Sequence, residues 1–103
     1  MNTITKVSDI TYTDVGDYLR LTDDLLEDEN NIAFITSTIS IAKAFISNYT
    51  GIAEADLDNY GDLPIVVFAL CQDMYDNRSL YVDNVNLNKM VETILGMHQT
   101  NLL

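Results

Sequence analysis

A chain of 103 residues has the length of one domain and buries roughly two-thirds of its unfolded surface, enough for one modest core. Its 48% hydrophobic content supplies that core and excludes general disorder. Sixteen acidic residues against five basic ones give a formal charge of −11, which excludes nucleic-acid binding by phosphate neutralisation, since that needs Lys and Arg in a patch.

The five bases, Lys6, Arg20, Lys43, Arg78 and Lys89, are scattered. The acidity itself admits two readings, solubility or a functional surface. Cys71 is the only cysteine, so no intrachain disulfide forms, and its apolar neighbours make it an inert core residue. No stretch reads as a signal-peptide core or a membrane span. A soluble protein made in a reducing compartment is expected.

In chain order, residues 1–12 read as extended or loosely ordered, with Ile4, Val7 and Ile10 irregularly spaced. Thr13 is placed to cap a short helix whose face is Val15, Tyr18 and Leu19 and which ends near Leu21. Gly16 weakens that helix by up to about 1 kcal/mol relative to Ala. Thr22 to Glu29 reads as an acidic turn carrying Asp23, Asp24, Glu27 and Asp28. A long amphipathic helix follows over 28–50. Ile32, Ile35, Ile39, Ala42, Ile46 and Tyr49 recur at steps of three and four, and Phe34, Ile41 and Phe45 widen the stripe. Gly51 is the expected stop. The Ile and Thr content is high for a helix, so packing must hold it.

Ile52 to Gly61 reads as an acidic connector with Glu54, Asp56 and Asp58, tacked down by Leu57 and Tyr60. The central helix spans about 63–78. It opens on Pro64, which a first helical turn tolerates, after Asp62, which can cap it. The run Ile65 to Cys71 is apolar without a break, and Val67, Leu70, Cys71, Met74 and Arg78 keep a three-four rhythm. Such a helix is covered by its neighbours. Ser79 to Val85 is a second connector, or a short strand from its near-alternating Leu80, Tyr81, Val82 and Val85. Asn84 or Asn86 caps a last helix with Leu87, Met90, Val91, Ile94 and Leu95 on its apolar face and Gly96 fraying it. Residues 99–103 form a tail ending in Leu102 and Leu103, either unstructured or docked on a partner. The expected fold is all-α, a single bundle of about four helices with little or no strand.

Candidate chemistry is sparse. Asp56 to Gly61 opens like a calcium loop but has Tyr60 at its fifth position and Val67 at its twelfth, so the pattern fails. Asp23, Asp24, Glu27 and Asp28 offer at most a weak divalent-ion site. His98, the only histidine, has no Cys or second His beside it, which argues against zinc. No nucleophile–base arrangement and no Gly-rich phosphate loop stands out. No cofactor, metal or enzymatic activity is expected, and a binding or assembly protein is. Two features are left over: the polar close of the central helix, Tyr75-Asp76-Asn77-Arg78, and the Leu102-Leu103 tail.

The order of several short motifs resembles the head-tail connector, or head-completion, family of tailed bacteriophages. Tyr18-Leu19-Arg20-Leu21 precedes an acidic turn that includes Asp28; Ala42, Ile46 and Tyr49-Thr50-Gly51 follow; Leu63-Pro64 opens a helix that Tyr75-Asp76-Asn77-Arg78 closes. Residues 1–12 and 82–103 carry no motif.

The resemblance implies a ring of about a dozen copies under the portal protein of a filled capsid. Such a ring extends the DNA channel, meets the next neck or tail component, and lets DNA pass without specific binding. It implies a place in the virion neck, and in the host cytoplasm during assembly. Arg20 and Arg78 are expected to pair with carboxylates within the subunit or across the ring, with Tyr75, Asp76 and Asn77 supporting them. The acidic segments 23–29 and 54–62 are expected as exposed loops, one of them facing the channel or a neighbour. A rival reading is an acidic DNA mimic that blocks a DNA-binding enzyme. Its acids would lie at phosphate-like spacing on one face, whereas here they cluster in two segments.

Overall fold

The structure, a computed structural model, describes residues 4 and 6–99. Among them the chain is all-α, with five α-helices, two short 3-10 turns and no strand. Helix α1 (Tyr12–Tyr18) and the short α2 (Asp23–Glu27) lead into α3 (Glu29–Thr50); α4 (Leu63–Asn77) and α5 (Lys89–His98) complete the bundle. The most extensive helix–helix contact is between α3 and α4, and α1 and α5 each pack against both.

The two helices read most firmly from sequence form with nearly the expected bounds. Asp28 caps α3, its Oδ1 accepting from the N–H groups of Asn30 at 2.9 Å and Asn31 at 3.2 Å. Gly51 ends it at φ 80°, a left-handed conformation that costs glycine least. The buried stripe of α3 is Asn31, Ile35, Thr38, Ile39, Ala42, Ile46 and Thr50, so three polar residues complete it. Ile32 and Tyr49, expected in that stripe, are only half-buried. In α4 Leu63, Val66, Val67, Leu70, Cys71 and Met74 are buried. Ile65 is 46% exposed, so the helix start is not covered all round.

Several expectations change. Residues from Val7 on are not loose: Val7 and Ile10 belong to the core, and Val7–Asp9 forms a 3-10 turn. Thr11, not Thr13, caps α1. Its hydroxyl accepts from the Asp14 N–H while the Asp14 carboxylate accepts from the Thr11 N–H, a reciprocal box. The segment 23–29 is not a turn but α2 and the α3 cap. The acidic connector forms a 3-10 turn, Glu54–Asn59, with Leu57 fully buried.

Asp62 precedes α4 without capping it by its side chain. Ser79 to Val85 forms no strand. Asp83 instead folds it into a turn, accepting from the N–H groups of Val85 and Asn86. Asn88, rather than Asn84 or Asn86, caps α5 through the Met90 and Val91 N–H groups. Helix α5 continues past Gly96 to His98, so Gly96 does not fray it.

Among the described residues Arg20 and Arg78 are the two non-glycine residues with positive φ, at 59° and 50°. Both sit just beyond a helix end and close it alike. Leu21 N–H donates to the Gly16 carbonyl and Arg20 N–H to Asp17; Ser79 N–H donates to Met74 and Arg78 N–H to Tyr75. Glycine is the usual occupant of this position, and an L residue there costs about 1–2 kcal/mol.

Candidate functional site

The polar close of α4 folds back on the start of α3. Asn31 is 8% exposed, and its Oδ1 accepts from the Tyr75 hydroxyl at 3.1 Å and from Arg78 Nη1 at 3.5 Å. Its Nδ2 donates to the Leu25 carbonyl at 3.0 Å, which ties α2 into the same corner. The Arg78 guanidinium carbon lies 4.2 Å from the Tyr75 ring centroid and 5.7 Å from that of Phe34. Phe34 meets Tyr75 edge-on at 6.1 Å.

The corner therefore joins three helices through one buried amide, two rings and one cation.

The expected pairing of arginines with carboxylates within the subunit does not form. Among the described residues neither Arg20 nor Arg78 makes an ion pair with a carboxylate. Arg78 takes an amide oxygen and aromatic faces instead. Arg20 is exposed, and no side-chain hydrogen bond holds its guanidinium among the described residues. Asn77 is spent locally, its Nδ2 donating to the Asp73 carbonyl at 2.9 Å. Asp76 is exposed.

The two acidic segments singled out in the sequence, 23–29 and 54–62, flank opposite ends of α3, a helix about 33 Å long at 1.5 Å per residue. Asp23, Asp24 and Glu27 are exposed on α2, and Asp28 is occupied as a cap. Glu54 and Asp56 are exposed on the second 3-10 turn. Asp58 is not a free loop carboxylate. It accepts from the Ser8 hydroxyl at 2.6 Å and from the Ser8 N–H at 2.9 Å. Those hydrogen bonds, the hydroxyl's foremost, hold its carboxyl below the ordinary 3.8. Among the described residues no three His, Cys, Asp or Glu side chains converge on one point. Leu102 and Leu103 lie outside the described residues.

One polar cluster was missed by the sequence reading. His98 Nε2 lies 2.7 Å from Asp62 Oδ2, the one ion pair among the described residues when the imidazole is protonated, and the Tyr60 ring meets the imidazole edge-on at 4.9 Å. It fastens the end of α5 to the residue before α4. The sequence signal was slight: a basic residue in a last helical turn and an acid 36 positions earlier.

No protein-family model, no curated protein and no solved structure matches this chain.

Proposed function

We propose that this chain is a structural subunit of a phage head-tail connector, a non-enzymatic protein that assembles as a ring between portal and tail-completion protein. The observation that carries the reading is Arg20. It lies in the Tyr18-Leu19-Arg20-Leu21 stretch that bears the resemblance. Its φ of 59° favours glycine, and its guanidinium has no carboxylate partner among the described residues. A strained position occupied by a costly residue points to a role for the side chain outside the subunit. In a chain of charge −11 the natural partner of an outward guanidinium is a carboxylate of the next copy.

The charge distribution supports the same reading. DNA must slide through a connector without being held, and a wall of carboxylates repels phosphate. A ring also needs two different surfaces on each subunit, because head-to-tail contacts close only at a fixed rotation. An acidic segment flanking each end of α3, with Arg20 just before the first of them in sequence, supplies such an asymmetry.

Arg20→Gly tests the reading directly. The variant should unfold at higher denaturant, by about 1 kcal/mol, because glycine relieves the left-handed backbone. It should also fail to form rings, alone or on portal protein, by negative-stain microscopy and sedimentation. Rings of the unaltered chain should become more abundant as salt rises, since screening shortens like-charge repulsion to about 8 Å at physiological ionic strength. Rings that dissolve with added salt, or an Arg20→Gly variant that assembles normally, would overturn the assignment.

A further inference from the structure

The outward face of α4 changes character along its length. Near its start Ile65 is exposed, and Phe68 stacks on Tyr18 of α1 with ring centroids 5.1 Å apart. Further on, Asp73 and Asp76 stand at i, i+3 and so on one face. Beside this face runs an open cleft of about 400 Å³, lined by Tyr18, Leu70, Asp73, Asp76, Leu87 and Met90 among others. A second cleft of about 250 Å³, lined by Asp73, Asn77, Ser79, Tyr81 and Asp83, shares Asp73 with it. Together they make one trough between α1, α4 and the α4–α5 connector.

The connector displays apolar groups to solvent instead of burying them, and Tyr81 among them lines the second cleft. Tyr81 is 65% exposed and Val85 91%. The Asp83 turn holds them, with Asn86 Nδ2 donating to Asp83 Oδ2 at 3.0 Å. The Asn86 hydrogen bonds, its side chain's foremost, keep the Asp83 carboxyl below the ordinary 3.8. The first cleft thus supplies Ala69, Leu70, Leu87 and Met90, the second is mostly polar, and together they carry two tyrosine rings and three carboxylates with no Lys or Arg among the lining residues.

We propose that this trough binds a segment of another protein in which an apolar residue is flanked by two or more Lys or Arg side chains. Charge complementarity selects the bases: three carboxylates that form no ion pair among the described residues favour cations, and tyrosine faces favour guanidinium. A second copy of this chain offers no continuous segment with paired bases. Its five bases are widely spaced, and the two nearest in sequence, Arg78 and Lys89, are eleven positions apart (89 − 78). Segment capture needs the trough alone, so ring formation and segment capture can fail separately.

The test pans a ribosome-displayed library of random short peptides against the immobilised full chain. Enriched peptides should carry paired bases beside an apolar residue. Affinity for the best of them should fall about tenfold in D73N/D76N and stay unchanged in D23N/D24N, which removes the same charge from α2. Asp73 and Asp76 are exposed, and Asn keeps the carbonyl oxygen that Asn77 uses. Tyr81→Ala, at a site outside the core, gives a second reading and should also weaken binding. No enrichment, peptides without bases, or equal weakening by D23N/D24N would overturn the proposal. So would labelled copies of the chain that bind the immobilised protein and lose binding in D73N/D76N, since the occupant is then a second copy.

Discussion

Asn31 is the residue on which the corner between α2, α3 and α4 turns. It sits in the buried stripe of α3, where the sequence rhythm counts apolar positions and passes over a polar one. Burial of an amide is tolerable only when its groups find partners, and here both side-chain atoms do, on Tyr75, Arg78 and Leu25. Thr38 and Thr50 solve the same problem inside the helix, donating to the Ile35 carbonyl at 2.6 Å and the Ile46 carbonyl at 2.7 Å. Cys71, pushed up to about 11 by burial, remains a protonated thiol in the core. Asn31→Ala should cost about 1–3 kcal/mol, because it strands the Tyr75 hydroxyl and the Leu25 carbonyl. Tyr75→Phe removes one hydrogen bond and keeps the ring, so it should cost about 0.5–1.5 kcal/mol. Urea unfolding of both variants and of the double variant checks this. The double loss should be smaller than the sum, since both changes delete the same bond. Strict additivity would mean that the bond carries no stability.

At the scale of elements, legibility followed the length and regularity of the apolar pattern. Helices α3 and α4 were readable because each keeps its spacing over many residues and has a terminator, Gly51 for α3 and Pro64 at the start of α4. Helix α2 was not readable: its five residues include three acids and bury none fully, so no stripe marks it. The cap of α5 was misplaced because Asn84, Asn86 and Asn88 are equally good capping residues in isolation. Tertiary structure separates them. Asn86 is drawn into the Asp83 turn, and the Asn88 side chain is the one that accepts from the Met90 and Val91 N–H groups.

The candidate site was legible as a motif and not as an arrangement. Tyr75 to Arg78 stood out as polar groups ending a buried helix, but their partner, Asn31, lies 44 positions from Tyr75 and had no signal of its own. Arg78 has no carboxylate partner within the subunit among the described residues, because a nearby amide and two aromatic faces take its guanidinium there. Asn88→Ala should destabilise the protein by about 1 kcal/mol and speed amide exchange at Met90 and Val91, whereas Asn84→Ala should do neither. Equal effects of the two would place the helix start elsewhere.

For the whole molecule the dominant quantity is charge. At −11 the subunit repels itself, and protonating carboxylates as pH falls towards the pI of about 4.1 relieves that repulsion. A second effect opposes the first. Asp58 has a carboxyl held below 3.8 by Ser8, and Asp83 by Asn86. A depressed folded-state pKa contributes stability that is fully present above the unfolded value and is lost as pH falls through the folded one. Stability should therefore hold or rise slightly on acidification to about pH 5 and then fall below about pH 4.

Ser8→Ala isolates the Asp58 share of this fall. It deletes the hydroxyl bond, the larger of the two causes, and leaves the Ser8 N–H bond in place. The Asp58 carboxyl then moves back towards 3.8 in the folded state, so less stability is lost on protonation. The variant should be weaker than the parent at neutral pH, with a gap that closes as pH falls to about 2. Urea midpoints at several pH values give the gap directly. A gap that stays constant down to that acidity would show that the bond from Ser8 to Asp58 is indifferent to the carboxylate's charge, and the acid limb would then belong to other groups.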